Sequence, residues 1–241
     1  MGKLLVVATP IGNLEDITLR ALRVLGEADA LACEDTRQTR KIFTKHDVNS
    51  PGIILSYHEH NEESAGARIL ELLNRNLTVA LCSDSGSPGI SDPGYRIINQ
   101  AIEAGFTVEI IPGASAVIAA LLASGLSTAS FTFKGFTPHR SGPRRWFLEA
   151  EREQPHTLIL FESPFRIGKL LQEAFKVFGN RMAAVCVEMT KVYEEIHRGG
   201  LRELAEKFAD REVKGEITVV IAGNNPKFIL PDEPDIRPDS G

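Results

Sequence analysis

Residues 83–94 read SDSGSPGISDPG, a loop with three glycines, two prolines and no basic residue, directly after the apolar run LTVALC. Two further stretches share its setting: ATPIGNLED (8–16) follows the run LLVVA, and PGAS (112–115) follows TVEII. In open α/β sheets, ligands lie beyond the carboxyl ends of the strands, where loop backbones and helix N-termini present N–H groups. The three loops could wall one pocket. Neither phosphate-binding pattern, G-x-x-x-x-G-K-[ST] or G-x-G-x-x-G, is present, and no Lys or Arg lies between Cys82 and Arg96 or between Lys3 and Arg20. A pyrophosphate would therefore meet only backbone donors. A zwitterionic ligand with positive charge at its reactive centre fits better, because Asp84 and backbone carbonyls can face it directly. S-adenosylmethionine, a sulfonium, is such a ligand. The alternative is a set of surface turns, the ordinary role of Gly/Pro clusters.

These loops need strands and helices to aim them, and the pattern around them is that of an α/β protein. Short apolar runs at 4–8, 30–33, 77–82 and 107–111 read as strands, and TLRALRVLG and SAGARILELLNRN as amphipathic helices. SAVIAALLASGL is apolar nearly all round, which predicts a helix buried between layers or between domains. The second half alternates FTFKGF, TLILFES, AAVCVEM and EITVVIAG as strands with PRRWFLEAERE, RIGKLLQEAFKVFG and LRELAEKFADR as helices. The expected organisation is an N-terminal α/β domain over 1–115, a C-terminal α/β domain over 116–225, and a flexible Pro- and acid-rich tail over 226–241.

Composition narrows the function classes. A 241-residue chain with 43% hydrophobic residues can bury a sizeable core, and a net charge of −5 argues against a protein that coats nucleic acid generically. A local basic patch is still allowed. Cys33, Cys82 and Cys186 lie far apart in apolar runs and read as buried free thiols, with neither a disulfide framework nor metal-site spacing. No apolar run approaches the twenty or so residues of a membrane span, so the expectation is a cytoplasmic protein without membrane or metal.

TPIGNLEDITLRAL, CEDTRQTRKI, YHEHN, SDSGSPGISDPG, IPGASAVIAALLASGL, FKGFTPHR, FESPFR, EMTKVYEE and GEITVVIAG occur in this order over roughly residues 4–223. In order and spacing they resemble the tetrapyrrole methylase superfamily, and within it the ribosomal RNA branch. The resemblance implies a two-domain tetrapyrrole methylase fold, S-adenosylmethionine in the cleft between the domains, and a homodimer. It also implies methylation of the ribose 2′-oxygen of a cytidine in 16S ribosomal RNA of the small ribosomal subunit, near the decoding centre. By the same resemblance the cofactor contacts fall on Pro10, on Asp84, Ser85, Gly86, Ser87 and Ile90, and on Ser115 and Ala116. Ser85, Ser87 and Gly89 depart from the family loop but stay small; Phe165 stands where the family has a histidine, so no histidine role carries over.

From the second domain, Glu188, Met189, Thr190 and Lys191 follow a strand end and could close the other side of the cleft; an ordinary ion pair is the competing reading. Methyl transfer to oxygen is an in-line displacement in which geometry dominates, helped by a group that takes the hydroxyl proton. Glu34, Asp35, His58, Glu59, His60 and Lys191 are candidates for that group, and Glu59 and Lys191 are the preferred pair. RNA needs cations and stacking groups. KGFTPHRSGPRR supplies Lys134, Phe136, His139, Arg140, Arg144 and Arg145; EDTRQTRK adds Arg37, Arg40 and Lys41; YHEHN adds His58 and Asn61. Solvated surface is the competing reading for all of these. Three rivals stay open: a tetrapyrrole-precursor methylase of the same fold, a non-catalytic ribosome-assembly factor that binds RNA, and, last, a nucleotide-dependent oxidoreductase.

Overall fold

A computed structural model describes residues 1–231, which divide into two compact units that part after Ser115. Unit 1 holds five strands: β1 (Lys3–Val7), β2 (Ala30–Cys33), β3 (Ile53–Ser56), β4 (Thr78–Cys82) and β5 (Thr107–Ile111). All pair in parallel in the order β3-β2-β4-β1-β5. A parallel sheet is covered on both faces. Helices α1 (Leu19–Glu27) and α2 (Thr36–His46) cover one face, where Val24, Leu25 and Phe43 pack on Leu5, Val7 and Leu31. Helices α3 (Glu62–Asn74) and α4 (Tyr95–Glu103) cover the other, where Ile69, Leu72 and Ile97 pack on Leu4, Val6 and Leu81.

Local chemistry sets the helix starts. Thr18 caps α1 by accepting the Ala21 N–H, and Asp35 caps α2 by accepting that of Arg37, each satisfying a donor the helix leaves open. β3, α2 and α4 were not among the expected elements: IILS is half exposed, α2 is largely polar, and α4 begins directly after the glycine-rich loop.

Unit 2 is a mixed sheet of order β6-β7-β10-β8-β9, made of β6 (Phe131–Phe136), β7 (Thr157–Glu162), β8 (Met182–Val187), β9 (Glu195–Gly200) and β10 (Ile217–Ile221). β6 and β7 are parallel; β10 runs against β7 and β8, and β9 against β8. Helices α6 (Ser141–Glu149), α7 (Ile167–Phe178) and α8 (Leu201–Lys207) share one core with the sheet. Helix α5 (Ala116–Ser124) packs Val117, Ala120 and Leu121 on the other face, against Ile159, Ala184 and Val220. α5 was expected to be buried between layers or between domains; in the structure it buries one stripe on the unit 2 sheet. Ile118 and Leu122, one turn apart, face solvent, because a helix on a single sheet buries only one stripe.

All three cysteines are free and buried. The expected flexible tail is also corrected where it is described: Pro226–Phe228 form a 3-10 turn capped by Asn225, and the Leu230 N–H donates to the Asn180 carbonyl. Residues 232–241 of that expected tail lie outside the described ones. Among the described residues no helix is long and apolar enough to cross a membrane, and no cluster of His, Cys, Asp and Glu has the makeup of a metal site.

Candidate active site

In unit 1 every strand delivers its carboxyl end to the same edge. The chain leaves β1 through α1 on one face and leaves the neighbouring β4 through α4 on the opposite face. β1 and β4 therefore flank the topological switch point, where open α/β sheets bind ligands. The loops that follow them are ATPIG and SDSGSPG, and main-chain bonds join them. Thr9 N–H donates to the Gly86 carbonyl at 2.8 Å, and Gly86 N–H to that of Thr9 at 3.2 Å. Thr9 Oγ1 donates to the Ser83 carbonyl at 3.1 Å, and Ser83 Oγ to that of Gly86 at 3.3 Å. Gly86 has φ of 77°, a left-handed conformation that side chains disfavour. A Cβ there would sit 3.6 Å from Ile11 Cγ2 and 3.9 Å from the Ala114 carbonyl oxygen. All three expected loops thus meet at Gly86.

Pro10 is buried, Ser85 and Ser87 are half-buried and Ile90 is exposed in these loops; Ser115 ends unit 1 and Ala116 opens unit 2. Asp84 Oδ1 accepts the Asp35 N–H at 2.9 Å. Partial burial raises the pKa of Asp84, against the pull of that N–H. Burial, then the charge of Asp84, raises that of Glu34. Asp35 is held down to about 2 by hydrogen bonds from Arg37. The Arg37 guanidinium grips both Asp35 oxygens, with Nη2–Oδ2 at 2.7 Å, so its charge is locally neutralised although it is exposed.

The turn YHEHN follows β3. Asn61 is a staple of this turn: its Oδ1 accepts the His58 N–H at 2.8 Å and its Nδ2 donates to the Ser56 carbonyl at 2.9 Å. This bracing role was not expected from the sequence, and it leaves one amide N–H and one oxygen lone pair of Asn61 open to a substrate. Tyr57 is buried and donates to Glu62 Oε1. His58 Nδ1 is buried without a partner, while Glu59 and His60 are exposed.

Unit 2 also gathers its motifs at one edge. The strand directions place the ends of β6, β7 and β8 and the starts of β9 and β10 together. FTPHR, ESPFR, EMTKVYEE and the GE before β10 all lie there. Glu188 and Thr190 have φ of 51° and 65°, a backbone state that non-glycine residues rarely adopt and that concentrates at functional sites. The Glu188 carboxylate accepts from Lys191 Nζ at 2.6 Å and from the Glu216 N–H at 2.9 Å, and Lys191 also reaches Glu216 Oε2 at 2.9 Å. A Cβ on Gly215 would lie 2.0 Å from Glu188 Oε1, so only glycine leaves that seat open. Burial works against the charges of Glu188 and Lys191, but their mutual contact prevails: the pKa of Glu188 falls and that of Lys191 rises. Lys191 is thus an ammonium ion bound to two carboxylates, which corrects its expected role as a proton acceptor.

Arg144 is corrected as well. It is buried, forks onto Glu173 with Nε–Oε2 at 2.7 Å and Nη2–Oε1 at 2.8 Å, and caps the His139 carbonyl through Nη1. Arg145 is exposed beside Glu149, and Arg140 is exposed with its guanidinium unpartnered among the described residues. Sequence reasoning gave no site role to Gly215 and Glu216, reading EITVVIAG as a strand and GEITVVIAG as one of the family motifs. It also missed the buried Glu162, which accepts from Thr137 Oγ1, from the Ser163 N–H at 2.6 Å and from Arg166 Nη2 at 2.5 Å.

The sequence profile of the tetrapyrrole (corrin/porphyrin) methylases matches residues 3–205. Ribosomal RNA small subunit methyltransferase I of Halalkalibacterium halodurans is 47% identical over 232 residues, 96% of this chain and 79% of that protein. Its counterpart in Thermotoga maritima is 41% identical, over 92% of this chain and 99% of that one. The chain belongs to the tetrapyrrole methylases, in their ribosomal RNA small subunit methyltransferase I branch. Solved structures of other enzymes share the fold. Diphthine synthase superposes with a TM-score of 0.71 at 19% identity, over 92% of this chain and 90% of that one. Uroporphyrin-III C-methyltransferase of Thermus thermophilus, complexed with S-adenosyl homocysteine, gives 0.62 at 21% identity, over 92% and 97%. In this methylase, as the sequence motifs implied, the conserved architecture is two-domain α/β.

Proposed function

We propose that this chain transfers the methyl group of S-adenosylmethionine to the ribose 2′-hydroxyl of a cytidine in 16S ribosomal RNA, near the decoding centre of the small ribosomal subunit. The observation that carries the reading is the union of ATPIG and SDSGSPG at the switch point through Thr9 and Gly86, in a chain 47% identical to a ribosomal RNA small subunit methyltransferase I. The donor set fits the cofactor. These loops offer main-chain groups, small side chains and the carboxylate of Asp84, and no Lys or Arg that would repel a sulfonium. Bound S-adenosylmethionine supplies an electrophilic methyl carbon.

The chain's own part is to orient and to handle a proton. Pro10, Asp84, Ser85, Gly86, Ser87, Ile90, Ser115 and Ala116 hold the cofactor, largely by backbone, and Glu188, Met189 and Thr190 are further proposed contacts to it. As the ribose oxygen bonds to the methyl carbon, the carbon–sulfur bond breaks and the hydroxyl proton leaves. Glu59, exposed on the turn after β3, is the proposed acceptor of that proton. Lys191 keeps Glu188 in place as a cation. Arg140 and Arg145 are the proposed contacts to RNA phosphates in unit 2, and Arg37 and His58 the proposed substrate contacts in unit 1. The protein works in the cytoplasm as a homodimer, for which the exposed Ile118 and Leu122 of α5 are a ready apolar stripe.

The test is transfer of labelled methyl to small ribosomal subunits that lack ribose methylation, beside naked ribosomal RNA and a tetrapyrrole precursor. Label on one ribose 2′-oxygen of the subunit is expected. Label only on the tetrapyrrole, or none despite cofactor binding, would overturn the reading.

A further inference from the structure

We infer that the end of β6 and the loops after β6 and β7 form a stacking seat for unpaired bases of the substrate RNA, with Phe165 and Phe136 as its aromatic faces and Arg140 as its cation. The inference rests on the RNA reading above. β6 and β7 are neighbouring parallel strands, so the loops that follow them, TPHR and SPFR, emerge side by side. Phe136 ends β6, held edge-on to Phe161 at 5.6 Å between ring centroids, yet it is 55% exposed. Phe165 is 91% exposed.

Single exposed apolar residues are common, so the surroundings decide. Both loops are tied to one buried carboxylate: Glu162 accepts from Thr137 Oγ1 in the first loop and from the Ser163 N–H and Arg166 in the second. The Phe165 N–H also donates to Ser163 Oγ, and the Arg166 N–H to the Ser163 carbonyl. The two rings are therefore offered on anchored loops, with little ordering left to do on binding. Neither loop contains an acid, and the loop after β6 carries the exposed His139 and Arg140 within four residues of Phe136. Anchored aromatic faces with adjacent cations suit single-stranded RNA, whose bases stack on rings while its phosphates meet the charge. A phenylalanine at position 165 cannot titrate or donate, which leaves the ring face as its means of recognition.

The experiment uses the full chain and unmethylated small ribosomal subunits, and compares Phe165→Ala, Phe165→Leu, Phe165→Tyr and Phe165→His. Leucine keeps apolar bulk and loses the ring face. The Ala and Leu variants should raise KM for the subunit on the order of tenfold, with Tyr and His within about threefold of wild type, because stacking needs a π-face. Cofactor affinity should stay unchanged in all four, which reports an intact fold. A benzophenone side chain at position 165 should cross-link to an unpaired segment of the 16S ribosomal RNA. A Leu variant with wild-type KM, or a cross-link to a second protomer in place of RNA, would overturn the stacking seat while leaving the methyl-transfer reading standing. A wild-type enzyme that methylates no RNA would instead remove the reading on which it rests.

Discussion

The two units each collect their motifs at one sheet edge, but they build with different materials. In unit 1 the loops are joined by main-chain bonds between Thr9 and Gly86, and the stretch from Ser83 to Gly94 has no cation. In unit 2 the edge is a set of charged side chains: Lys191 between Glu188 and Glu216, Arg166 on Glu162, Arg144 on Glu173. A main-chain surface tolerates changes of side chain and fails when the backbone must move. A side-chain network behaves the other way round. The split matches the proposal that the unit 1 loops read the cofactor largely by backbone, while the paired charges of unit 2 brace the loop and helix that carry its exposed cations Arg140 and Arg145.

The strongest test of this contrast lies at Gly86. Gly86→Val puts a branched side chain at φ of 77°, and the loop must shift to relieve it. Cofactor affinity should fall on the order of a hundredfold, measured by calorimetry, since strain and lost backbone contacts add. Ser85→Ala and Ser87→Ala should stay within about threefold, a loss no larger than one exposed hydrogen bond. Equal losses at Gly86 and at the two serines would break the main-chain account of unit 1.

Next in size is Arg144. Its guanidinium is 3% exposed and its partner Glu173 21%. Arg144→Ala should cost about 2 kcal/mol in urea unfolding, below the range for a fully buried pair because Glu173 keeps some water. Arg145→Ala, on an exposed i,i+4 pair, should change stability by under about 0.5 kcal/mol and weaken subunit binding instead. Gly215→Ala comes third. A methyl there overlaps the Glu188 carboxylate, which must shift away from Lys191 and the Glu216 N–H; cofactor affinity should drop about tenfold, measured by calorimetry.

The sequence made the unit 1 loops legible because their signal is compositional: glycine, proline and missing cations show in any reading of residues 83–94. The strands that carry them were legible for a similar reason, as short apolar runs. β3 and β9 were harder. IILS offers only three apolar residues before the polar turn SYHEHN, and EIHRGG is mostly polar, so neither shows an apolar run as long as those of most other strands. The roles of Arg144, Asn61 and Lys191 were illegible because they turn on partners distant in sequence or on loop geometry. Arg144 meets Glu173 across 29 residues, and Lys191 meets Glu216 across 25. A basic residue in a basic stretch reads as surface until its acid is found.

The smallest effect, and the finest test of the contrast, is in pH. Asp84 and Glu188 each follow a strand end, yet their pKa values move in opposite directions: burial raises that of Asp84, while Lys191 and the Glu216 N–H overcome burial and lower that of Glu188. On acidification Asp84 should therefore take its proton at a higher pH than an ordinary aspartate, and Glu188 at a lower pH than an ordinary glutamate. The signs for stability follow. Glu188 contributes stability above the usual glutamate pKa and loses it as pH falls through its depressed value; folding disfavours the ionised form of Asp84, so that penalty is relieved as pH falls through its raised value. A sulfonium ligand needs the ionised form. Cofactor affinity should accordingly weaken as pH falls toward the raised pKa of Asp84, before Glu188 titrates. In Asp84→Asn that pH dependence should vanish, affinity should be low throughout, and the Tm of the free protein should be no lower than wild type. Affinity that stays flat in the wild type across this range would mean that the backbone alone holds the cofactor, which would sharpen the contrast between the units further than the charge of Asp84 allows.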